Sequence, residues 1–230
     1  MAGVVAADGE DIDNGRRQLR QNRHRAARRE NIGGSGGFRY YRPVGAGSPF
    51  ISYLAYAELE AASELRHEWH DGLTVAMAGG TPRHGALTAR VTAALDFALR
   101  GRPCQVLSSD VRVRIRTSKL GTYPDVSVVC GQLEVDDEDP HSIVNPSLLV
   151  EVLSPSTEAY DRGAKFAHYR AVPSLKAVLF VRQAGPGVEL FVRRSDGGWE
   201  LHECEAGKLR IEPLDIEIDI GDLYREPLPG

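Results

Sequence analysis

From Phe50 onward, hydrophobic and polar positions recur with clear periods, whereas residues 1–48 show none and contain few large apolar side chains. The stretch SYLAYAELEAASELRHEW predicts a partly amphipathic helix running to the turn signal Asp71-Gly72. LTVAMAGG then reads as a strand entering a turn. A second helix begins with Thr81 as N-cap and Pro82 at its first position, and Gly101 stops it. Leu87, Val91, Ala94, Leu95, Ala98 and Leu99 form its apolar face. CQVLSS, VRVRIRT, YPDVSVVC and SLLVEVLS follow as strands. In VRVRIRT strict alternation sets Val111, Val113 and Ile115 against Arg112, Arg114 and Arg116. EAYDRGAKFAHYRAV is a helix ended by Pro173, and a run of C-terminal strands closes the chain, two of them joined at Asp196-Gly197-Gly198. Strands framing two helices, then strands alone, predict one α/β (α+β) domain over residues 49–228 with a mixed sheet.

Charge divides the chain at the same boundary. Residues 1–48 carry nine basic and five acidic side chains, net +4, and the remaining 19 basic and 27 acidic give −8. RRQLRQNRHRAARRE followed by GGSGG reads as a disordered extension, or as an arm that tracks phosphates. The acidic body argues against a generally basic nucleic-acid binder. Three cysteines, Cys104, Cys130 and Cys204, without a C-x-x-C spacing, argue against a disulfide framework or a zinc site and fit a reducing cytoplasm. No apolar run approaches the roughly 18 residues that span a bilayer, and no secretory pattern opens the chain, so neither membrane nor export is expected.

Carboxylates in apolar settings are the candidate chemistry. In SLLVEVLS, Glu151 shares a face with Leu149 and Leu153 while Leu148, Val150 and Val152 take the other, so its charge needs a metal, a cationic partner or a route to solvent. Asp125 interrupts a strand-like run directly after Pro124, which suits a strand edge or a turn. Lys165 shares a helical face with Asp161 and His168, either as a surface pair or turned toward the strand carboxylates. Glu68 stands at the end of the first helical stretch, in HEWH, whose histidines are too close for the H-E-x-x-H metalloprotease pattern. His84 opens the second helix, packed, capping or functional. Phosphate-loop, dinucleotide and G-x-S-x-G patterns are absent.

Taken in order, SELRHEWHDG, AMAGGTPRH, TYPDVSVVCG, LLVEVLSPST and DRGAKFAHYRAVPSL resemble the Uma-two family of endonucleases. That family lies within the PD-(D/E)XK, or restriction-endonuclease-like, superfamily. The resemblance runs from Phe50 to the region of Tyr224 and implies a restriction-endonuclease-like mixed sheet flanked by helices. It places Asp125 at the P-D aspartate, Glu151 at the strand glutamate, Glu68 at the N-terminal glutamate and His84 at a recurrent histidine. Leu153 stands where the superfamily has lysine, and Lys165 takes the lysine position moved to the following helix. The implied activity is Mg²⁺- or Mn²⁺-dependent hydrolysis of phosphodiester bonds, with Asp125, Glu151 and Glu68 as metal ligands and Lys165 and His84 acting on water or phosphate.

DNA is the expected substrate, with RNA left open. Arg112, Arg114 and Arg116, joined by Lys119, offer a phosphate-contacting strand, since alternate strand residues are about 6.8 Å apart, or a merely solvated face. The segment 134–139, EVDDED, reads as a solvated acidic loop. A homodimer is the default symmetry expectation. The competing reading is a catalytically inactive nuclease fold serving as a nucleic-acid-binding or protein-interaction module.

Overall fold

A computed structural model describes residues 50–229, so the extension expected over 1–48 lies outside the described residues. Helix α1 (Tyr53–Ala62) starts at Ser52, whose hydroxyl accepts the Ala55 N–H at 3.2 Å. It stops well before the expected turn. HEWH forms strand β1 (His67–His70), which turns at Asp71-Gly72 into β2 (Leu73–Ala76). Glu68 therefore stands on a strand, not at a helix end. The reason is tertiary: β1 is hydrogen-bonded on both edges, by β2 and by the distant β5 (Leu120–Thr122), and Glu60 accepts the His67 N–H at 2.8 Å. Gly72 has φ +97°, and the Phe50 ring occupies the place of any Cβ there.

Helix α2 (Pro82–Ala98) forms as the sequence predicts, with the Thr81 hydroxyl accepting the His84 N–H at 3.1 Å and Leu87, Val91 and Leu95 buried. These pack on one face of a six-stranded sheet ordered β11-β10-β9-β8-β6-β3. Its strands are β3 (Cys104–Ser108), β6 (Val126–Cys130), β8 (Leu148–Leu153), β9 (Ala177–Arg182), β10 (Val188–Arg193) and β11 (Trp199–Cys204). Within this sheet only β8 and β9 run parallel, and the connection between them carries helix α3. Helix α3 spans 158–169, with one π-type turn, Asp161–Lys165, between α-helical ends. The opposite face of the sheet packs against a five-stranded sheet ordered β2-β1-β5-β4-β7, which adds β4 (Arg112–Ile115) and β7 (Ser142–Ile143), and against Phe166, Tyr169 and Val172. The last strands depart from the main sheet. β12 (Lys208–Ile211) and β13 (Ile216–Asp219) pair only with each other and, with helix α4 (Ile220–Tyr224), join the core on the α2 side.

The cysteine expectation is corrected by the strand register. Cys104 and Cys130 lie directly opposite each other on β3 and β6 and form a disulfide, which leaves Cys204 as the free thiol. The two are 26 residues apart in the chain, and only the pairing of these strands brings them together. No described helix is long and apolar enough to cross a membrane.

Candidate active site

The β6–β8 register sets Val126 opposite Val150, so Asp125 and Glu151 stand across from each other at the end of that ladder. Glu151 points to the face shared with the second sheet. There it meets Lys165, whose Nζ lies 2.8 Å from Glu151 Oε1, 3.3 Å from Glu68 Oε1 and 3.8 Å from Asp161 Oδ1. One ammonium thus bridges a glutamate of each sheet. Asp161, Lys165 and Tyr169 follow one another at four-residue spacing and line one side of α3. Glu151, Lys165 and Asp161 are each only 4% exposed, too little for the surface ion pair that spacing alone allows.

Each carboxylate has its own surroundings. Glu68 Oε1 accepts from Thr122 and Lys165, and Oε2 lies 3.2 Å from His70 Nε2, so both of its oxygens are engaged. Glu151 Oε1 accepts from Lys165 and from the buried Tyr169 phenol. Asp125 Oδ2 accepts the Val152 N–H at 2.7 Å and lies 3.3 Å from His84 Nε2. Burial would raise Glu68, but Lys165 and the bonds from His70 and Thr122 overcome it and hold the carboxyl down at about 2. For Glu151 burial prevails over Lys165, and the neighbouring Asp161 and Asp125 charges reinforce it, pushing the carboxyl up to about 8. Lys165 is held well above its ordinary value: burial opposes this, but Glu151, Glu68, Tyr169 and Asp161 outweigh it. His84 is raised by its bond to Asp125, against its partial burial.

Sequence reasoning thus names the charged members of this cluster but misses Tyr169, Thr122 and Tyr160. Tyr169 follows Lys165 by four residues, which is a usable signal. Thr122 is not legible, because the pairing of β1 with β5 brings it to Glu68. Tyr160, whose hydroxyl is 3.5 Å from the His70 ring, depends on the docking of α3.

The arginine strand is corrected. Arg112 and Arg114 lie in the interior, 3% and 8% exposed, where no phosphate reaches them. Arg112 Nη2 donates to Asp139 Oδ1 at 2.9 Å, and the Arg114 guanidinium sits 3.6 Å from the centroid of the Tyr53 ring. Arg116 is half-exposed but bonds to Asp136 at 2.6 Å, and Lys119 pairs with Asp71 at 2.8 Å. The acidic loop changes accordingly, because Asp136 and Asp139 are buried partners of these arginines rather than solvated charges. Alternation locates the strand but does not show that α1 and the 134–139 loop cover its arginine face.

Hard carboxylate oxygens are the donor set that Mg²⁺ and Mn²⁺ prefer. Among the described residues no three His, Cys, Asp or Glu side chains converge as a complete ligand group. Asp125 and Glu151, which stand across from each other, are the two carboxylates that could hold such an ion, with water and phosphate oxygens to complete its shell. Glu68, with both oxygens occupied, faces Lys165 instead.

The family model Uma2, described as "Putative restriction endonuclease", matches residues 53–221. This chain belongs to the Uma2 family. Two relatives come from Synechocystis sp.: the uncharacterized protein slr1290 is 34% identical over 77% of this chain and 93% of its own length. The uncharacterized protein sll1609 is 30% identical over 74% of this chain and 96% of its own. The fold also matches the crystal structure of "a putative nuclease belonging to DUF820" from Anabaena variabilis, with a TM-score of 0.57 and 14% identity. That match covers 70% of this chain and 91% of the other, and it establishes the fold. The Uma2 match and the mixed sheet flanked by helices agree with the resemblance read from the five sequence blocks, and family membership supports a nuclease-type activity.

Proposed function

We propose that this Uma2 protein is a divalent-metal-dependent endonuclease that hydrolyses phosphodiester bonds in DNA. One observation carries the reading: three carboxylates, Glu68, Glu151 and Asp161, gather around a single buried ammonium, Lys165, and a fourth, Asp125, stands across the β6–β8 ladder from Glu151. Glu151 thus shares its one cation with two other carboxylates, and Mg²⁺ or Mn²⁺ would bind between it and Asp125. When bound, the ion would neutralise phosphate charge and acidify a water molecule.

The remaining work falls to the chain's own groups. Lys165 remains an ammonium at neutral pH, so it cannot serve as a general base; it offers charge and hydrogen bonds to a phosphoryl oxygen. Glu68 orients it through Oε1 and is itself fixed by Thr122 and His70. His84, whose protonated form Asp125 favours, can donate to a phosphate oxygen beside that carboxylate.

The test is cleavage of DNA by the full chain with Mg²⁺ or Mn²⁺. Asp125→Asn and Glu151→Gln should each lower the rate by about 10²-fold or more, with circular dichroism unchanged. Full activity in both variants, or in the presence of excess chelator, overturns the assignment. Metal binding without any cleavage would favour the inactive binding module.

A further inference from the structure

Tyr169 is fully buried in the core between the two sheets, among residues that Phe could join without loss of packing. Its phenol donates to Glu151 Oε1, the same oxygen that faces Lys165 Nζ at 2.8 Å. Two donors thus pin one oxygen of Glu151 toward the interior. The other, Oε2, accepts nothing from the described residues. It belongs to the carboxylate that stands across the β6–β8 ladder from Asp125. The placement of Tyr169 is built into α3: it follows Lys165 by four residues, so both side chains lie on one face and reach the same strand glutamate.

We propose that Tyr169 is a positioning residue, holding Glu151 Oε1 inward so that Oε2 is presented to a divalent cation shared with Asp125. The proposal rests on the metal reading above and adds a residue outside the ligand set. A carboxylate free to rotate would offer either oxygen, or swing toward Lys165 with both; the phenol removes that freedom. Removing a group that orients a metal ligand through a hydrogen bond typically costs about 10- to 100-fold in metal affinity or activity.

The experiment uses the full chain and its Tyr169→Phe variant, which keeps the ring and removes only the donor. Mn²⁺ uptake is followed by the loss of the free-ion electron paramagnetic resonance signal, thermal unfolding is measured without metal, and the crystal structure of the variant is solved. Mn²⁺ should bind the variant about 10- to 100-fold more weakly than wild type, with the unfolding midpoint little changed. A dissociation constant within about twofold of wild type overturns the proposal. Wild-type protein that takes up no Mn²⁺ refutes the metal reading separately. Tyr169 is then judged on the crystal structure: Glu151 rotated in Tyr169→Phe supports the positioning role, and Glu151 unmoved refutes it.

Discussion

At the scale of single residues, Glu68 and Glu151 contact the same ammonium yet titrate in opposite directions. The difference lies in their other neighbours. Glu68 has donors on both oxygens, from Thr122 and His70 as well as Lys165, whereas Glu151 is surrounded by the further negative charges of Asp161 and Asp125. Opposite pH effects on stability follow. Between the ordinary glutamate value of 4.5 and about 8, folded protein keeps a proton on Glu151 that the unfolded chain has released. Metal-free stability therefore declines as pH rises through that window. Glu151→Gln should flatten the decline in melting temperature measured from pH 5 to 8.5 in chelator. Parallel curves for the two proteins would contradict the elevated value. His84, also raised, contributes a decline of the same sign, so only the difference between the two proteins isolates Glu151. Glu68 acts on the acid side: its contribution is present above 4.5 and is lost as pH falls toward about 2.

At the scale of elements, β4 and the 134–139 loop show how a sequence pattern can be right about conformation and wrong about environment. Strict alternation correctly marks a strand at Arg112–Ile115. Alternation normally means one wet face, but here Tyr53, Tyr56 and Trp69 cover the arginine side and Asp139 supplies a buried counter-charge. Breaking a buried pair leaves a charge without compensation. Asp139→Ala should thus cost about 3–5 kcal/mol in urea unfolding, while Arg112→Gln should leave the salt dependence of DNA binding unaltered. A stable Asp139→Ala protein would refute this view of the loop. The same gap between local pattern and pairing explains β1. HEWH carries no turn signal between itself and α1, so local pattern extends the helix through it. Of the two flanking strands that decide otherwise, β2 follows directly and β5 lies far along the chain.

At the scale of the whole molecule, the charge partition acquires a sharper meaning. Within the −8 body many arginines and lysines already have carboxylate partners, among them Arg66, Arg102, Arg112, Arg116, Lys119, Arg162, Arg182, Arg194, Lys208 and Arg210. In the proposed nuclease, bound metal and the basic segment RRQLRQNRHRAARR would contribute phosphate affinity. Replacing Arg16, Arg17, Arg20 and Arg23 by Gln in the full chain should reduce the slope of log K against log salt by about one for each phosphate no longer neutralised. An unchanged slope would assign phosphate binding to the body.

The sequence alone determined the class of fold, helix α2 with its Thr81 cap, and the charged candidates Asp125, Glu151 and Lys165. Those follow from local rules: periodicity, capping, and the cost of a carboxylate inside an apolar strand. What tertiary structure decided is which of these groups meet. Lys165 reaches Glu151 only because α3 crosses between two sheets, and Glu68 only because β1 pairs with β5. Cys104 faces Cys130, and Arg112 faces Asp139, for the same reason. Proximity between residues distant in the chain is set by strand register and sheet packing, and these minimise the free energy of the whole fold rather than of any one segment.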